Sequence, residues 1–362
     1  MRRRTLLGLA ASAPLARRTF AAAPAYDVVR ADTAIVFPRD YGAHPGFRTE
    51  WWYLTGWLDR EGAAACGFQI TFFRSRTAHA DDNPSRFAPR QLLFTHAALA
   101  LPEQGRLQHE ERAARVGVAG VRFSTTDTDL ALDGWTLRRD AASGLYAARL
   151  AGRELELALD FEPAAPPILQ GRNGFSQKGP RPEQASHYLS EPQLRVSGRI
   201  AAGRGNARRA WSVSGRAWLD HEWSSTLLDE RAAGWDWIGI NLDDGGSLMT
   251  FRIRTPQGEV LWSHHVRRDA KGNIVAEGAD AQWRANRWWT SPRSQARYPV
   301  ACEVRMGGEA LSLEPLMDDQ EIDARASTGG FYWEGAVTVL AAGRRVGRGY
   351  LELTGYAGTL RF

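Results

Sequence analysis

The stretch "AWLDHEWSS", residues 217–225, places an acid, a histidine and a second acid in succession among aromatic and aliphatic residues. Asp220, His221 and Glu222 are residue types that bind metal ions or exchange protons with a substrate. In a β-strand, successive side chains point to opposite faces, so Asp220 and Glu222 would share a face with Trp218 while His221 takes the other. Alternation therefore favours a pair of acids over a three-ligand metal site.

The two carboxyls of Asp220 and Glu222 would lie roughly 7 Å apart on this strand face. Removal from water raises the pKa of a carboxyl and allows it to donate a proton near neutral pH. An exposed polar strand face would also explain the two acids. The favoured interpretation is an acid-lined aromatic cavity, because five tryptophans crowd this region: Trp211, Trp218, Trp223, Trp235 and Trp237.

Two further segments carry aromatic residues beside acids. In "GWDWIGINL", Trp235 and Trp237 share a face and Asp236 lies on the reverse. In "TEWWYLTGWL", Glu50 and Trp52 would share one face, with Trp51 and Tyr53 on the other. A single buried indole usually fills a core, so these aromatic residues are core candidates as well as cavity candidates.

Glu50 has two interpretations, a third acid in the cavity or an ion-pair partner for an arginine such as Arg74, and we prefer the second. His96 and His187 lie in apolar or aromatic context, where a lone histidine is usually a hydrogen-bonded core residue. The sequence contains no H-E-x-x-H, G-x-S-x-G, phosphate-loop or dinucleotide signature. We therefore expect neither a metal site nor Ser/His/Asp hydrolysis.

The N-terminus has the pattern of an export signal. Residues 1–25 combine a basic start, a short apolar core and small residues suited to cleavage. Arg3 and Arg4, followed by a threonine and two leucines, resemble the twin-arginine pattern of proteins exported in the folded state. The sequence thus predicts a periplasmic or secreted protein.

The net charge of the chain comes largely from residues 1–25. That segment holds five of the 46 basic residues and no acid, so the rest of the chain has 41 basic and 41 acidic residues. Nucleic-acid binding needs a positive net charge or patch, and it is not expected here. No apolar run is long enough for a transmembrane segment.

Period-two alternation dominates the chain and predicts an all-β fold of antiparallel barrels or sandwiches. "CGFQITFF" and "ELELALDF" are examples, and turn residues recur between such runs. We expect an N-terminal domain over 26–226 and a C-terminal domain over 227–362. Residues 163–190, rich in Pro and Gly, are expected to form a long loop across the mouth of the first domain.

The chain has two cysteines, Cys66 and Cys302, which lie far apart in the sequence. An exported chain could bridge them. Cys66 lies in an alternating apolar stretch, so a buried thiol is the preferred interpretation for it.

Several motifs together resemble the secreted lipocalin-like proteins related to carotenoid 1,2-hydratases, the AttH/CrtC-like group. They are "TEWWYLTGWL", "GFQITFFR", "THAAL", "GRNGFSQKGP", "SHYLS", "AWLDHEWSS", "GWDWIGINL" and "GRGYLELTGY". The resemblance runs from about residue 40 to the C-terminus. It implies two lipocalin-like β-barrel domains in tandem. It also implies a functional link to an ABC-type transporter, which members of this group often accompany. Some relatives shape or cyclise polyketide chains.

Carotenoid hydratases of this group are thought to protonate a terminal alkene with an aspartic acid and to let water trap the cation, without a cofactor. The resemblance assigns the proton donor to Asp220 and a helping histidine to His187; Glu222 would tune the acid or position water. Two positions depart from the family pattern. Trp218 replaces a tyrosine two residues before the aspartate, and Leu189 replaces a tryptophan two residues after the histidine.

The first functional hypothesis is a cofactor-free hydratase or lyase acting on a lipophilic, isoprenoid-like molecule. The second is a non-catalytic carrier that presents such a molecule to an ABC-type transporter, and a third is a glycan-cleaving enzyme, suggested by the carboxyl spacing. Under the first two hypotheses the substrate or ligand would contact five aromatic residues: Trp218, Trp235, Trp237, Trp52 and Tyr188.

Overall fold

The computed structural model describes residues 25–79, 83–85, 87–118 and 120–359. Residues 1–24 of the predicted export signal lie outside this part of the chain. Strands account for 58% of these described residues, which contain no α-helix, only short 3-10 turns at Arg39–Tyr41, Pro102–Gln104 and Gly205–Ala207. The strands form two antiparallel sheets, one nearly closed into a barrel, which confirms the predicted all-β class.

The first sheet has the strand order β4-β3-β2-β1-β13-β12-β9-β8-β7-β6-β5, with β10 and β11 also paired to β12. Its strands are β1 (Thr49–Arg60), β2 (Cys66–Arg76), β3 (Gln91–Ala100), β4 (Gln108–Arg115), β5 (Val121–Phe123), β6 (Asp129–Leu132), β7 (Trp135–Arg139), β8 (Tyr146–Ala151), β9 (Leu155–Glu162), β10 (Ile168–Leu169), β11 (Phe175–Gln177), β12 (Ala185–Ala202) and β13 (Arg209–Thr226). The long strands β1, β12 and β13 are neighbours at its centre.

The second sheet has the order β17-β16-β15-β14-β23-β22-β20-β19-β18, with β21 also paired to β22. Its strands are β14 (Gly234–Leu242), β15 (Ser247–Arg254), β16 (Val260–Arg268), β17 (Ile274–Gly278), β18 (Gln282–Thr290), β19 (Arg297–Met306), β20 (Glu309–Pro315), β21 (Glu321–Ala324), β22 (Gly330–Ala341) and β23 (Arg344–Leu353). The change from one sheet to the other falls between Thr226 and Gly234.

Each sheet has its own apolar core on one face. Leu54 and Leu219, opposite each other on β1 and β13, belong to the core of the first sheet. Ile238 and Leu351, opposite each other on β14 and β23, belong to that of the second. A third apolar cluster combines residues of both sheets, among them Tyr53, Trp57, Tyr188, Trp218, Trp237, Met249, Phe251 and Tyr350. The two sheets therefore pack against each other through their other faces.

The sequence predicted one long loop over residues 163–190, but the structure shows short strands within this segment. Strands β10 and β11 fold back onto β12, with Ile168 opposite Ser190 and Phe175 opposite His187. The segment then turns, and the Lys178 backbone N–H donates to the carbonyl of Gln184. The Pro and Gly residues lie in these turns. The backbone N–H and C=O groups of the extended residues between the turns form hydrogen bonds with β12.

Cys66 and Cys302 are both buried and unbridged. Cys66 belongs to the core of the first sheet and Cys302 to that of the second, and burial raises the pKa of each thiol to about 12. The buried-thiol interpretation of Cys66 therefore matches the structure. In the part of the chain that the structure describes, no helix has the length and apolar character needed to cross a membrane.

Candidate active site

A cavity lies where the two sheets pack together, and it encloses a volume of about 80 Å³. One water molecule needs roughly 10–15 Å³, so several non-hydrogen atoms fit. Its lining consists of six aromatic and three aliphatic residues, four acids and one lysine: Trp51, Tyr53, Phe73, Lys178, Asp220, Glu222, Leu227, Leu228, Trp235, Trp237, Phe251, Ile253, Glu334 and Glu352. Such an apolar cavity with a few polar groups, placed between two packed units, is typical of a ligand site.

The first wall of the cavity is formed by two rows of side chains across β1, β13 and β12. Tyr53, Asp220 and Ser190 are opposite one another in one row. Trp51, Glu222 and Tyr188 form the next row. Residues in register across antiparallel strands share a face, so strand pairing alone brings both acids to the cavity. The predicted sharing of one face by Asp220 and Glu222 is present in the structure.

Asp220 is buried and accepts three hydrogen bonds. The Tyr188 hydroxyl donates to Oδ2 over 2.7 Å. The Ser190 hydroxyl and the Trp218 indole N–H donate to Oδ1 over 2.5 and 2.7 Å. Two of these donors are themselves held in place, because Trp237 Nε1 donates to the Tyr188 oxygen over 3.0 Å and Gln170 donates to Ser190 over 2.9 Å. The carboxyl is thus fixed in one orientation at the cavity wall.

The pKa of Asp220 is raised to about 7. Burial is the largest cause, and the negative charge of Glu222 adds to it; the bonds from Ser190, Tyr188 and Trp218 act in the opposite direction. Burial also raises the pKa of Tyr188 well above its ordinary value, so this phenol remains a donor. Asp220 is therefore a carboxyl that exchanges its proton near neutral pH.

Glu222 lies beside Asp220 and forms a buried ion pair with Lys178. The Lys178 ammonium nitrogen is 3.0 Å from Glu222 Oε1 and lies over the rings of Tyr188 and Phe251, 4.5 and 4.1 Å from their centroids. Burial lowers the pKa of Lys178, although Glu222 opposes this shift. The ammonium gives the cavity a hydrogen-bond donor that the sequence analysis did not identify.

The second wall is a row of side chains across four strands of the second sheet. Phe251 on β15 is opposite Trp237 on β14, which is opposite Glu352 on β23, which in turn is opposite Glu334 on β22. Trp235 lies on the same face as Trp237 and also lines the cavity. Trp235 and Trp237 thus lie at the cavity, where the sequence predicted them. Glu334 and Glu352 also line it, and the sequence did not predict that.

Four of the predicted site residues do not line this cavity. Tyr188 and Trp218 reach it only through their hydrogen bonds to Asp220, whereas His187 and Trp52 lie on the other face of the sheet. His187 is opposite Trp223 on β13, while its neighbour Tyr188 is opposite Glu222, so His187 lies on the other face of the sheet. Its ring packs against Trp223 and Phe47. The expectation that His187 meets Asp220 is therefore wrong, because odd and even positions of β12 face opposite ways.

Trp52 is the second predicted site residue on that other face of the sheet. Its indole stacks on His221 at 4.4 Å and donates to the carbonyl of Tyr41 over 3.3 Å, within the core of the first sheet. Its neighbours Trp51 and Tyr53 line the cavity instead. The prediction that Trp52 lines the cavity is therefore wrong. Because side chains alternate along β1, Trp52 lies on the same face as Glu50 and not on the face of Asp220 and Glu222.

Glu50 is at the centre of a buried polar network on the core side of the sheet. Arg74 Nε donates to Glu50 Oε2 over 2.7 Å, as the preferred interpretation predicted. His44 Nδ1 and His221 Nε2 contact Oε1 at 2.8 and 2.9 Å, and the other nitrogen of His44 lies 3.2 Å from Asp40. Burial raises the pKa of Glu50, but Arg74 and the two histidines outweigh it and hold that pKa well below its ordinary value.

This network is also the group of residues best placed to hold a metal ion in the described ranges. Candidate ligand atoms of His44, Glu50 and His221 lie within 4.8 Å of one another. However, Arg74 occupies one carboxylate oxygen and both nitrogens of His44 face acids. Burial lowers the pKa of His44, yet Glu50 and Asp40 outweigh it and raise that pKa. The arrangement fits a protonated His44 between two carboxylates better than a metal ligand.

The fold and the site define a lipocalin-like all-β protein whose two packed sheets enclose an acid-lined aromatic cavity. The family model described as AttH-like matches residues 28–356. The chain belongs to this family, which confirms the resemblance to proteins related to carotenoid hydratases.

Solved structures show the same architecture. A protein described as AttH from Nitrosomonas europaea is 46% identical, with a TM-score of 0.84 over 91% of this chain and 99% of the other. Kievitone hydratase from Nectria haematococca is 12% identical, with a TM-score of 0.66 over 94% and 99%. CghA, solved with Sch210972, is 12% identical, with a TM-score of 0.52 over 86% and 89%. No curated protein matches the sequence.

Proposed function

We propose that this protein is a cofactor-free hydratase or lyase that uses Asp220 as a general acid on a lipophilic alkene. The observation that carries the proposal is a buried carboxyl with a pKa of about 7, fixed by three donors at the wall of an aromatic cavity. The hydratase activity named for one structural relative, at 12% identity, agrees with this class of reaction.

The reaction would begin with protonation of the alkene. The Asp220 O–H bond breaks, a C–H bond forms, and the positive charge develops on the neighbouring carbon. The new carboxylate is stabilised by Tyr188, Ser190 and Trp218, which already point their hydrogens at it. The faces of Trp235 and Trp237 stabilise the cation, and water then adds to it. Reversal of the same steps would remove water from a tertiary alcohol.

The cavity lining indicates the substrate class. Its walls are aromatic and aliphatic apart from Lys178 and the acids, so the reacting end of the substrate is apolar. Because the cavity is small, we expect only the terminal group of an isoprenoid-like chain to enter it. The direct test is incubation with lycopene, squalene and geranylacetone, followed by mass spectrometry for products one water heavier. No addition to any of the three would count against an isoprenoid substrate.

The pH profile should report on Asp220. A general acid works in its protonated form, so kcat/KM is expected to be constant at low pH and to fall as pH rises through about 7. Tyr188→Phe removes a donor that stabilises the carboxylate, and the falling limb should move to higher pH. An unchanged limb in Tyr188→Phe would contradict the assignment of this limb to Asp220.

A carrier role is the alternative, since an apolar aromatic cavity also binds lipophilic molecules without changing them. Binding measured by quenching of tryptophan fluorescence, with no product and no effect of Asp220→Asn, would favour the carrier. Cleavage of glycans is disfavoured because Trp218 and Trp237 are buried between the sheets instead of lining an open groove.

We further propose that the protein acts in the periplasm or outside the cell, on the basis of residues 1–25, and that an ABC-type transporter is a partner, on the basis of the family resemblance. Fusion of residues 1–25 to a reporter, with Arg3 and Arg4 both replaced by lysine as the control, tests the export route. Reporter that stays inside the cell with the native segment would contradict it.

A further inference from the structure

Lys178 is the basic residue in the lining of the cavity between the two sheets. Its side chain is 7% exposed, and its ammonium nitrogen lies 3.0 Å from Glu222 Oε1. The rings of Tyr188, from the first sheet, and Phe251, from the second, lie next to it, with centroids 4.5 and 4.1 Å away. The ammonium is therefore held where the two walls of the cavity meet, close to the wall that carries Asp220.

The turn that carries Lys178 is held by hydrogen bonds on both sides of the residue. The Lys178 backbone N–H donates to the carbonyl of Gln184 over 2.7 Å. The side-chain amide of Gln177 donates to the carbonyls of Gly179 and Arg181 over 2.8 and 2.6 Å. Because its backbone is fixed in this way, the ammonium reaches the cavity in a defined position, as a group that recognises one atom of a ligand must.

The ammonium has more hydrogen-bond donors than the protein uses. A lysine carries three N–H donors, and the described residues offer them one partner, the carboxylate of Glu222. The faces of Tyr188 and Phe251 stabilise the positive charge but present no lone pair. Buried donors are usually paired, and these line a cavity. They therefore favour a ligand that supplies an acceptor.

The charges of the cavity decide which acceptor fits. Lys178 and Glu222 neutralise each other. Burial raises the pKa of Glu334 well above its ordinary value and that of Glu352 to about 8, so both are protonated at neutral pH. A carboxylate or phosphate would thus add a negative charge with no counter-charge in a buried site. A neutral carbonyl oxygen accepts from the ammonium and leaves the net charge unchanged.

We propose that Lys178 is a specificity-determining residue that binds a carbonyl oxygen of the substrate and so orients the alkene towards Asp220. The substrate is then an oxygenated isoprenoid-like molecule, such as an unsaturated ketone, and not a pure hydrocarbon. This inference rests on the proposed function for the role of the alkene. Lys178 pairs with Glu222, which is roughly 7 Å from Asp220 along the strand, so the carbonyl and the alkene are expected to be several bonds apart.

The first test measures binding and needs no turnover. Isothermal titration calorimetry compares methylheptenone, a ketone with an isoprenoid alkene, with the hydrocarbon in which a methylene group replaces the carbonyl oxygen. The two ligands have nearly the same shape, so the ratio of their Kd values reports on the oxygen. The variants are Glu222→Gln and Lys178→Met/Glu222→Gln, since Lys178→Met alone would leave a buried carboxylate unpaired.

Relative to Glu222→Gln, the double variant should lose about 10–100-fold of the preference for the ketone, the usual effect of a hydrogen bond from a charged donor. Lys271→Met is the control on the wild-type background, because Lys271 is exposed and is the other lysine of the chain. It should leave the preference unchanged. An equal preference in Glu222→Gln and the double variant would overturn the proposal.

The second test is made on the wild-type protein and does not depend on the folding of a variant. The infrared carbonyl stretch of bound methylheptenone, identified by isotope labelling of the carbonyl carbon, should lie at lower frequency than in hexane. The reason is that a charged donor forms a strong hydrogen bond to the oxygen and weakens the C=O bond. A stretch at the hexane position would show that the oxygen has no donor and would reject the assignment.

The incubations described above give a third measurement. Of lycopene, squalene and geranylacetone, geranylacetone is the compound with a carbonyl group, so it should gain water with the highest kcat/KM. Faster hydration of squalene than of geranylacetone would count against carbonyl recognition.

The two proposals fail separately. If Asp220→Asn abolishes turnover while Lys178→Met/Glu222→Gln keeps the ketone preference of Glu222→Gln, the assignment of Lys178 fails and the proposed function stands. If Asp220→Asn keeps full turnover, the proposed function fails. A ketone preference that is lost in the double variant would then still support Lys178 as the residue that binds a carbonyl ligand.

Discussion

Asp220→Asn is expected to lower the turnover of an alkene substrate by about 10²–10⁴-fold, or to abolish it, without loss of the fold. Asparagine has nearly the same shape and its carbonyl oxygen can still accept bonds from Tyr188, Ser190 or Trp218. It cannot deliver a proton to carbon. Product formation by mass spectrometry is the measurement, with circular dichroism to verify the fold.

The matched control is Asp160→Asn, since Asp160 lies on the exposed side of β9 with about half of its side chain accessible. This variant should keep wild-type turnover. Full activity of Asp220→Asn would rule out Asp220 as the acid, and unchanged ligand binding together with no product from either protein would favour the carrier.

Arg74→Met is expected to lower the free energy of unfolding by about 3–5 kcal/mol, the usual effect of removing one partner of a buried ion pair. Arg74 and Glu50 both have side chains that are 0% exposed. Besides Glu50, Arg74 donates to Gln91 and to the carbonyls of His44 and Phe47, so the methionine leaves several acceptors unpaired. Urea or thermal unfolding of the first sheet measures the loss.

Arg195→Met is the control for this experiment. Arg195 also pairs with a glutamate, Glu162, but both side chains are 52% exposed, so its loss should cost less than about 1 kcal/mol. An equally small effect of Arg74→Met would show that the buried network contributes little to stability.

Sequence alternation was sufficient to predict the orientation of side chains along single strands. The strand of residues 217–225 sends Asp220, Glu222 and Trp218 to one face and His221 to the other, as the structure shows. This prediction succeeds because the period of a strand is fixed by backbone geometry and does not depend on tertiary packing. The Glu50–Arg74 pair, the preferred of two interpretations of Glu50, depends in addition on the register of β1 with β2, where the two residues are opposite each other.

The packing of the two sheets could not be predicted in this way. Nothing in residues 332–335 or 350–356 taken alone indicates that Glu334 and Glu352 would face Asp220, because the register and docking of strands distant in sequence decide it. Lys178 had a weak signal, as one of only two lysines in the chain. His187 was assigned to the site by the family resemblance alone. The alternation of side chains along β12 places it on the face of the sheet that points away from Asp220.

The cavity takes one wall from each sheet, so any molecule bound there touches both halves of the chain. Such a molecule binds only when the sheets are together, and by mass action it holds them together with a free energy that grows with its concentration. Occupancy of the cavity would thus increase the free energy needed to separate the two sheets. The candidate site is a property of the tandem arrangement, and neither sheet forms it alone.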